Sequence, residues 1–177
     1  MGKPLIWYTI DGLRQIGVKD IVVVQGASRN VEEGLKEFDL KDYLFQGLIL
    51  KEMDFRKALK EHHWDQYQNC YLTVFCSTDA IIPTWAYMLV ASQAESFALD
   101  VAYGNKDEYL RNFYRQKIKS IDPKEYMDAK IVIKGCSEKE VPASAYLEIT
   151  RLLKPYASSI MFGEPCSTVP VYKKAKV

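Results

Sequence analysis

The sequence predicts an α/β protein: a mostly parallel sheet with flanking helices and an internal βαβα duplication. Three observations lead there. The chain has 177 residues, 48% hydrophobic and 27% charged, the balance of a globular protein that buries a real core. From residue 69 onward, short β-branched and aromatic runs alternate with helical stretches. A Cys-Ser turn followed by a proline, seen at Cys76 and Pro83, returns at Cys136 and Pro142.

The elements follow in order. Leu5 to Ile16 reads as a helix, and Ile21 to Val24 as a strand before Gly26-Ala27-Ser28. Asp39 to Leu50 fits either a strand pair or a helix start. Asp54 is placed to cap a helix from Phe55 to about His62. Tyr71–Phe75 is a buried strand, stopped by Cys-Ser-Thr-Asp and followed by Pro83 in a first helical turn. Thr84 to Phe97 is apolar at helical intervals and contains no glycine or proline. A strand from Ala98 to Tyr103 stops at Gly104-Asn105, and an amphipathic helix runs from about Asp107 to Lys119. The same order then repeats: strand Lys130–Lys134, turn Gly135-Cys136-Ser137, helix from Pro142 to about Lys154, and strand Ser159–Phe162 ending at Gly163. Trp85, Tyr87, Tyr146 and Leu147 are expected on helix faces turned to the sheet. No linker composition appears, so residues 1–177 read as one domain.

Charge and composition exclude several classes. A formal net charge of +1 gives no global pull toward nucleic acid or an anionic membrane. The apolar runs fall far short of the ~20 residues of a membrane helix, and the N-terminus lacks signal-peptide order. Four cysteines are too few for a disulfide-stapled scaffold. The expected setting is cytoplasmic, with free thiols and no nucleic-acid or membrane partner.

The chemistry concentrates in three Cys-Ser…Pro motifs, at Cys76, Cys136 and Cys166. If their strands are neighbours in one parallel sheet, the three thiols share the edge where α/β folds place ligand sites. Clustered thiolates repel unless a cation neutralises them, and zinc or an iron–sulfur cluster selects soft sulfur. The expected site is therefore metal-binding, with the three sulfurs within about 4 Å of one another, the spacing set by Zn–S bonds of ~2.3 Å. Buried cysteines that merely fill apolar space are the alternative. A catalytic thiol is the other. Yet Ile82 and Pro142 stand where a phosphatase loop has its arginine, and no dyad signature involves His62 or His63. Cys70, six residues before Cys76 on an extended segment and ~20 Å from it, is expected only to pack. A fourth ligand is sought among His62, His63, Asp79 and Glu164.

From about residue 38 to 174 the chain resembles an uncharacterised bacterial family of unknown function. The residues that carry the likeness are FDLKDYLFQGLILKEMDFR, CSTDAIIPTWAYM, KIVIKGCSEKEVPASAY and MFGEPCSTVPVYKK. The resemblance places the family's three cysteines on Cys76, Cys136 and Cys166, and a family histidine on His62. It also implies an association with iron–sulfur assembly proteins, since members often lie near genes for cluster assembly. Residues 1–34, with GKPLIWYTIDGLRQIGVKDIVVVQG, are similar instead to a helix–strand segment of sugar-phosphate nucleotidyltransferases. Those enzymes carry a glycine-rich loop before this stretch, which is missing here, so the activity does not transfer. The segment is either a divergent α–β unit or a fusion.

The expected function is thus an accessory protein, not an enzyme, that holds zinc or an iron–sulfur cluster through Cys76, Cys136 and Cys166, with His62 as a further ligand. A scaffold protein with structural cysteines is the alternative reading, and a nucleotidyltransferase-like or thiol enzyme a further one.

Overall fold

Two sheets, rather than one, take up the strands. The computed structural model describes residues 20–23, 31–135, 141–164 and 167–175. In the first sheet, β2 (Leu35–Asp39), β3 (Tyr71–Phe75) and β4 (Asp100–Tyr103) lie parallel in the order β2-β3-β4. In the second, β1 (Asp20–Val23), β5 (Lys130–Lys134) and β6 (Ser159–Glu164) are parallel, and β7 (Ser167–Lys173) joins β6 antiparallel. The chain divides accordingly into two compact units, Arg29–Leu110 and Met1–Ser28 with Arg111–Val177. The expectation of a single sheet with β3, β5 and β6 as neighbours is therefore corrected. Strand–helix alternation reveals that strands pair through crossovers, but not which crossover closes onto which sheet.

Burial explains the elements. Leu72, Thr73 and Val74 in β3, and Ile131, Val132 and Ile133 in β5, are all buried, as in parallel strands covered on both faces. Helix α2 (Thr84–Ala94) buries Ala86, Val90 and Ala94, and α4 (Ala143–Leu153) buries Ala145, Ile149 and Leu153. That i, i+4, i+8 spacing turns one stripe to the sheet. Pro83 and Pro142 sit just outside these helices with extended backbones. Trp85, Tyr87 and Tyr146 are half-buried beside the cores, whereas Leu147 is exposed, off the stripe.

Other expectations shift. Helix α1 (Glu52–Glu61) begins before Asp54, which lies in its first turn; Lys51 is the capping residue, without a side-chain cap. The segment after Asp39 is a 3₁₀ turn, Leu40–Tyr43, followed by a tight turn bridged from Phe45 to Ile49. Helix α3 (Lys106–Lys119) is opened by a reciprocal cap: Asn105 Oδ1 accepts from the Glu108 amide at 3.0 Å, and Glu108 Oε2 from the Asn105 amide at 2.9 Å. Strands β2 and β7 are additions to the sequence reading. In β7, Pro170 pairs with Met161 on an edge strand, so the third Cys-Ser…Pro motif leads into a strand and not a helix. The expected helix Leu5–Ile16 and the Gly26-Ala27-Ser28 turn lie outside the described residues, as do Cys136-Ser137 and Cys166.

Between the units, β3-α2-β4 and β5-α4-β6 match in order and in local bonding. Tyr71 corresponds to Lys130, Thr84 to Ala143 and Asp100 to Ser159, a constant offset of 59 residues. Asn69 and Asp128 both take positive φ, 59° and 54°, one residue ahead of the turn into their strands. The Leu99 amide donates to Cys70 at 2.8 Å, as the Ser158 amide does to Ala129. Tyr87 packs edge-on against Tyr103 and Tyr146 against Phe162, at 5.3 and 5.5 Å. This register puts Gly135, not Cys136, opposite Cys76. The Tyr146 hydroxyl stands where a side chain at Gly135 would begin, so a larger residue there would have to displace it.

Candidate functional site

The carboxyl edge of the β2-β3-β4 sheet positions the first sequence-predicted residue. Asp39 ends β2 in register with Phe75, the last residue of β3, so Cys76-Ser77-Thr78 leave the sheet beside its carboxylate. Asp39 Oδ1 accepts from the amides of Ser77 and Lys41, both at 3.0 Å, and Lys41 Nζ lies 3.3 Å from Oδ2. Burial pushes the Asp39 carboxyl up, but hydrogen bonds from Ser77 and Lys41 outweigh it and hold it below the ordinary value. Asp39 is thus the anchor of the cysteine turn. The sequence reading missed it: the local signal of an aspartate bonding the amide two residues on, at Lys41, says nothing of Ser77, 38 positions away.

Cys76 is half-buried and packs against the core of its unit. Its sulfur pairs with the Thr78 hydroxyl at 3.3 Å. Among the described residues neither a histidine nor a carboxylate bonds this thiol. Cys70 donates to the Gln68 carbonyl at 3.5 Å and is half-buried.

His62, the other described site residue, follows the last turn of α1 and belongs to an aromatic cluster. Phe38 and Trp64 stack at 5.7 Å, and His62 meets Trp64 edge-on at 4.7 Å. Its Nδ1 lies 3.2 Å from the Tyr43 hydroxyl and its Nε2 3.0 Å from that of Tyr67. The Gln66 amide nitrogen, oriented by its bond to the His63 carbonyl at 2.8 Å, also lies 3.2 Å from Nε2. An amide nitrogen only donates, so Nε2 is the bare nitrogen and Nδ1–H donates to Tyr43. A metal at His62 would have to displace one of these partners. Burial pushes the Tyr67 hydroxyl up to about 12, with the Tyr43 charge adding to it. His63 is exposed.

This cluster makes stability depend on pH. Burial, and secondarily the charge of His63, lower the pKa of His62 below its ordinary 6.5. The unfolded chain then binds the proton first as pH falls through ~6.5, so stability declines below that pH until the folded imidazole titrates. Urea midpoints measured at pH 7.5 and 5.5 are expected to drop more in the parent protein than in His62→Gln. Equal drops would show that His62 does not contribute.

Cys136 and Cys166, and with them the expected 4 Å sulfur spacing, lie outside the described residues, as does the side chain of Glu164. Among the described residues, no three His, Cys, Asp or Glu side chains form a group suited to a metal ion. Nor is any described helix long and apolar enough to cross a membrane.

Fold and site together define an α/β protein of two units, one built on a parallel and one on a mixed sheet, the first carrying an aspartate-anchored cysteine turn at its carboxyl edge. The chain belongs to the family described as "Protein of unknown function (DUF2480)", whose model matches residues 14–174. The match takes in residues 14–34, so the family extends over most of the N-terminal stretch as well. No curated protein and no solved structure is significantly similar to the chain.

Proposed function

We propose that this protein is a non-enzymatic accessory protein that binds a soft metal, zinc or an iron–sulfur cluster, through its cysteine thiols. The observation that carries this reading is the pairing of β5 with β6. Ile133 and Phe162 are ladder partners on adjacent parallel strands. Cys136 follows the first by three residues and Cys166 the second by four. The strand ends that lead to the two cysteines are therefore neighbours, and thiolates gathered beyond them would call for a neutralising cation. We further propose that the offset of 59 residues reflects a duplication, and that iron–sulfur assembly proteins are the partners, as the family resemblance implies.

For Cys76 a second reading has its own support. Its sulfur packs against the core and pairs with Thr78, which suits a structural thiol as well as a ligand. Metal content of anaerobically purified protein separates these. Cys136→Ser and Cys166→Ser are each expected to lose most of the metal, and Cys70→Ser none. Metal retained by both of the first two variants would refute the proposal. Loss in Cys76→Ser would add that thiol to the ligands, and retention would leave it structural.

A further inference from the structure

The two sheets differ at one strand position. With the offset of 59 residues, β4 of the first sheet corresponds to β6 of the second. Beyond β6 lies antiparallel β7, in which Val169 pairs with Phe162. Beyond β4, among the described residues, no strand follows. The Gly104 amide donates to the Val74 carbonyl at 3.1 Å, on the β3 side. Peptide groups alternate in direction along a strand, so those of Ala102 also turn to β3, and those of Val101 and Tyr103 turn outward. The opposite edge of the sheet, β2, is guarded by the exposed charges of Lys36 and Glu37. On β4, Tyr103 is instead 74% exposed.

We propose that β4 pairs antiparallel with β4 of a second copy of the chain, joining the two β2-β3-β4 sheets across a two-fold axis. Such pairing needs an edge that complements itself, and β4 has one. Centred on Ala102, the register sets Val101 against Tyr103 of the second copy, twice, and these are the residues whose peptide groups turn outward. Each pair exchanges two backbone hydrogen bonds and lays an aromatic ring beside a β-branched side chain, as Phe162 and Val169 do in the second unit. The two Ala102 residues meet at the centre as a non-hydrogen-bonded pair, where Cα atoms approach to ~4.5 Å and small side chains fit. Each Asp100 falls opposite Gly104 and away from the other Asp100, and its carboxylate already accepts from the Tyr109 hydroxyl at 2.8 Å. A register centred on Val101 is poorer, because it would bond Tyr103 to Leu99, whose amide is committed to the Cys70 carbonyl at 2.8 Å. Strand β4 has four residues, so the contact is small and the association weak.

Sedimentation of the full chain between ~1 µM and ~1 mM is expected to show a reversible monomer–dimer equilibrium. The amides of Val101 and Tyr103 should exchange more slowly as concentration rises. Tyr103→Lys, at an exposed position, should weaken association at least about tenfold, since it removes both symmetric aromatic pairs and puts a lysine on the edge. Oxidised Ala102→Cys should give a dimer cross-linked through the new thiols, because the central Cα separation lies within disulfide reach. Tyr103→Cys should not, as its two copies stand more than ~7 Å apart in this register. A parent protein that stays monomeric throughout overturns the proposal. So does association that Tyr103→Lys leaves unchanged, or cross-linking as ready in Tyr103→Cys as in Ala102→Cys. Val101 and Tyr103 amides protected equally at every concentration would mean that another segment of the chain covers the edge, which overturns it as well. Exchange is read on the parent protein, so it decides even where a variant fails to fold.

Discussion

Replacing Trp64 with alanine is expected to destabilise the protein by about 3–5 kcal/mol, the range for deleting a large buried aromatic. Trp64 is 7% exposed and stacks on Phe38, with His62 and Tyr67 on its other sides. Its indole N–H donates to the Leu59 carbonyl at 2.8 Å, closing the end of α1. The substitution therefore opens a cavity and also leaves a buried carbonyl without its donor, two costs that add. A domain of ordinary stability has ~5–15 kcal/mol in all, so the urea midpoint should fall by roughly 2 M. Met53→Ala, on the exposed face of α1, serves as the control and should stay within about 0.5 kcal/mol of the parent. A Trp64→Ala loss below about 1 kcal/mol would mean that the aromatic cluster does not hold α1 against its sheet.

Gly163→Val should be nearly as costly, for a backbone reason. Gly163 has φ +123°, a region that side-chain-bearing residues rarely enter. A Cβ there would come within 2.5 Å of the Ser167 carbonyl oxygen. That oxygen belongs to β7, whose Thr168 pairs with Gly163 itself, so it cannot withdraw without opening the hairpin. Strain and clash together are expected to cost about 3 kcal/mol. They should also strip amide-exchange protection from β6 and β7, uncovering the core beneath Tyr172. Gly47→Ala is the matched comparison, since Gly47 also has positive φ, +70°, but open space around it. Only the left-handed backbone penalty of ~1–2 kcal/mol applies there. Equal losses from the two variants would show that the β6–β7 contact is not tight.

Much of the framework is legible along the chain because burial is periodic. Strands β3 and β5 announce themselves as β-branched or aromatic runs, Tyr71–Phe75 and Ile131-Val132-Ile133, since both faces of their central residues are covered. Helices α2 and α4 are marked by a proline just before them and by small or branched residues on one stripe. Strand β2 escapes this reading: LKEFD has only Phe38 fully buried, and its charged neighbours look like a loop. Strand β7 escapes because Pro170 argues against a strand and only an edge position admits it. Leu147 is a core residue by type, yet its angular position on α4, off the Ala145-Ile149-Leu153 stripe, leaves it exposed.

By itself, then, the sequence determined the α/β class, the boundaries of most elements in the last hundred residues, and the recurrence of a Cys-Ser turn before a proline. Each depends on neighbours within about ten positions, through side-chain periodicity and backbone preference. Only the tertiary structure decided that β3 and β5 belong to different sheets, because strand partners are chosen by contacts distant in the chain. It also decided the setting of His62. A histidine at a helix end reads as solvated until Tyr43, nineteen residues earlier, and Tyr67, five later, are brought to its two nitrogens. The same is true of Asp39, whose carboxylate holds the Ser77 amide from 38 residues away because parallel pairing of β2 with β3 aligns their ends.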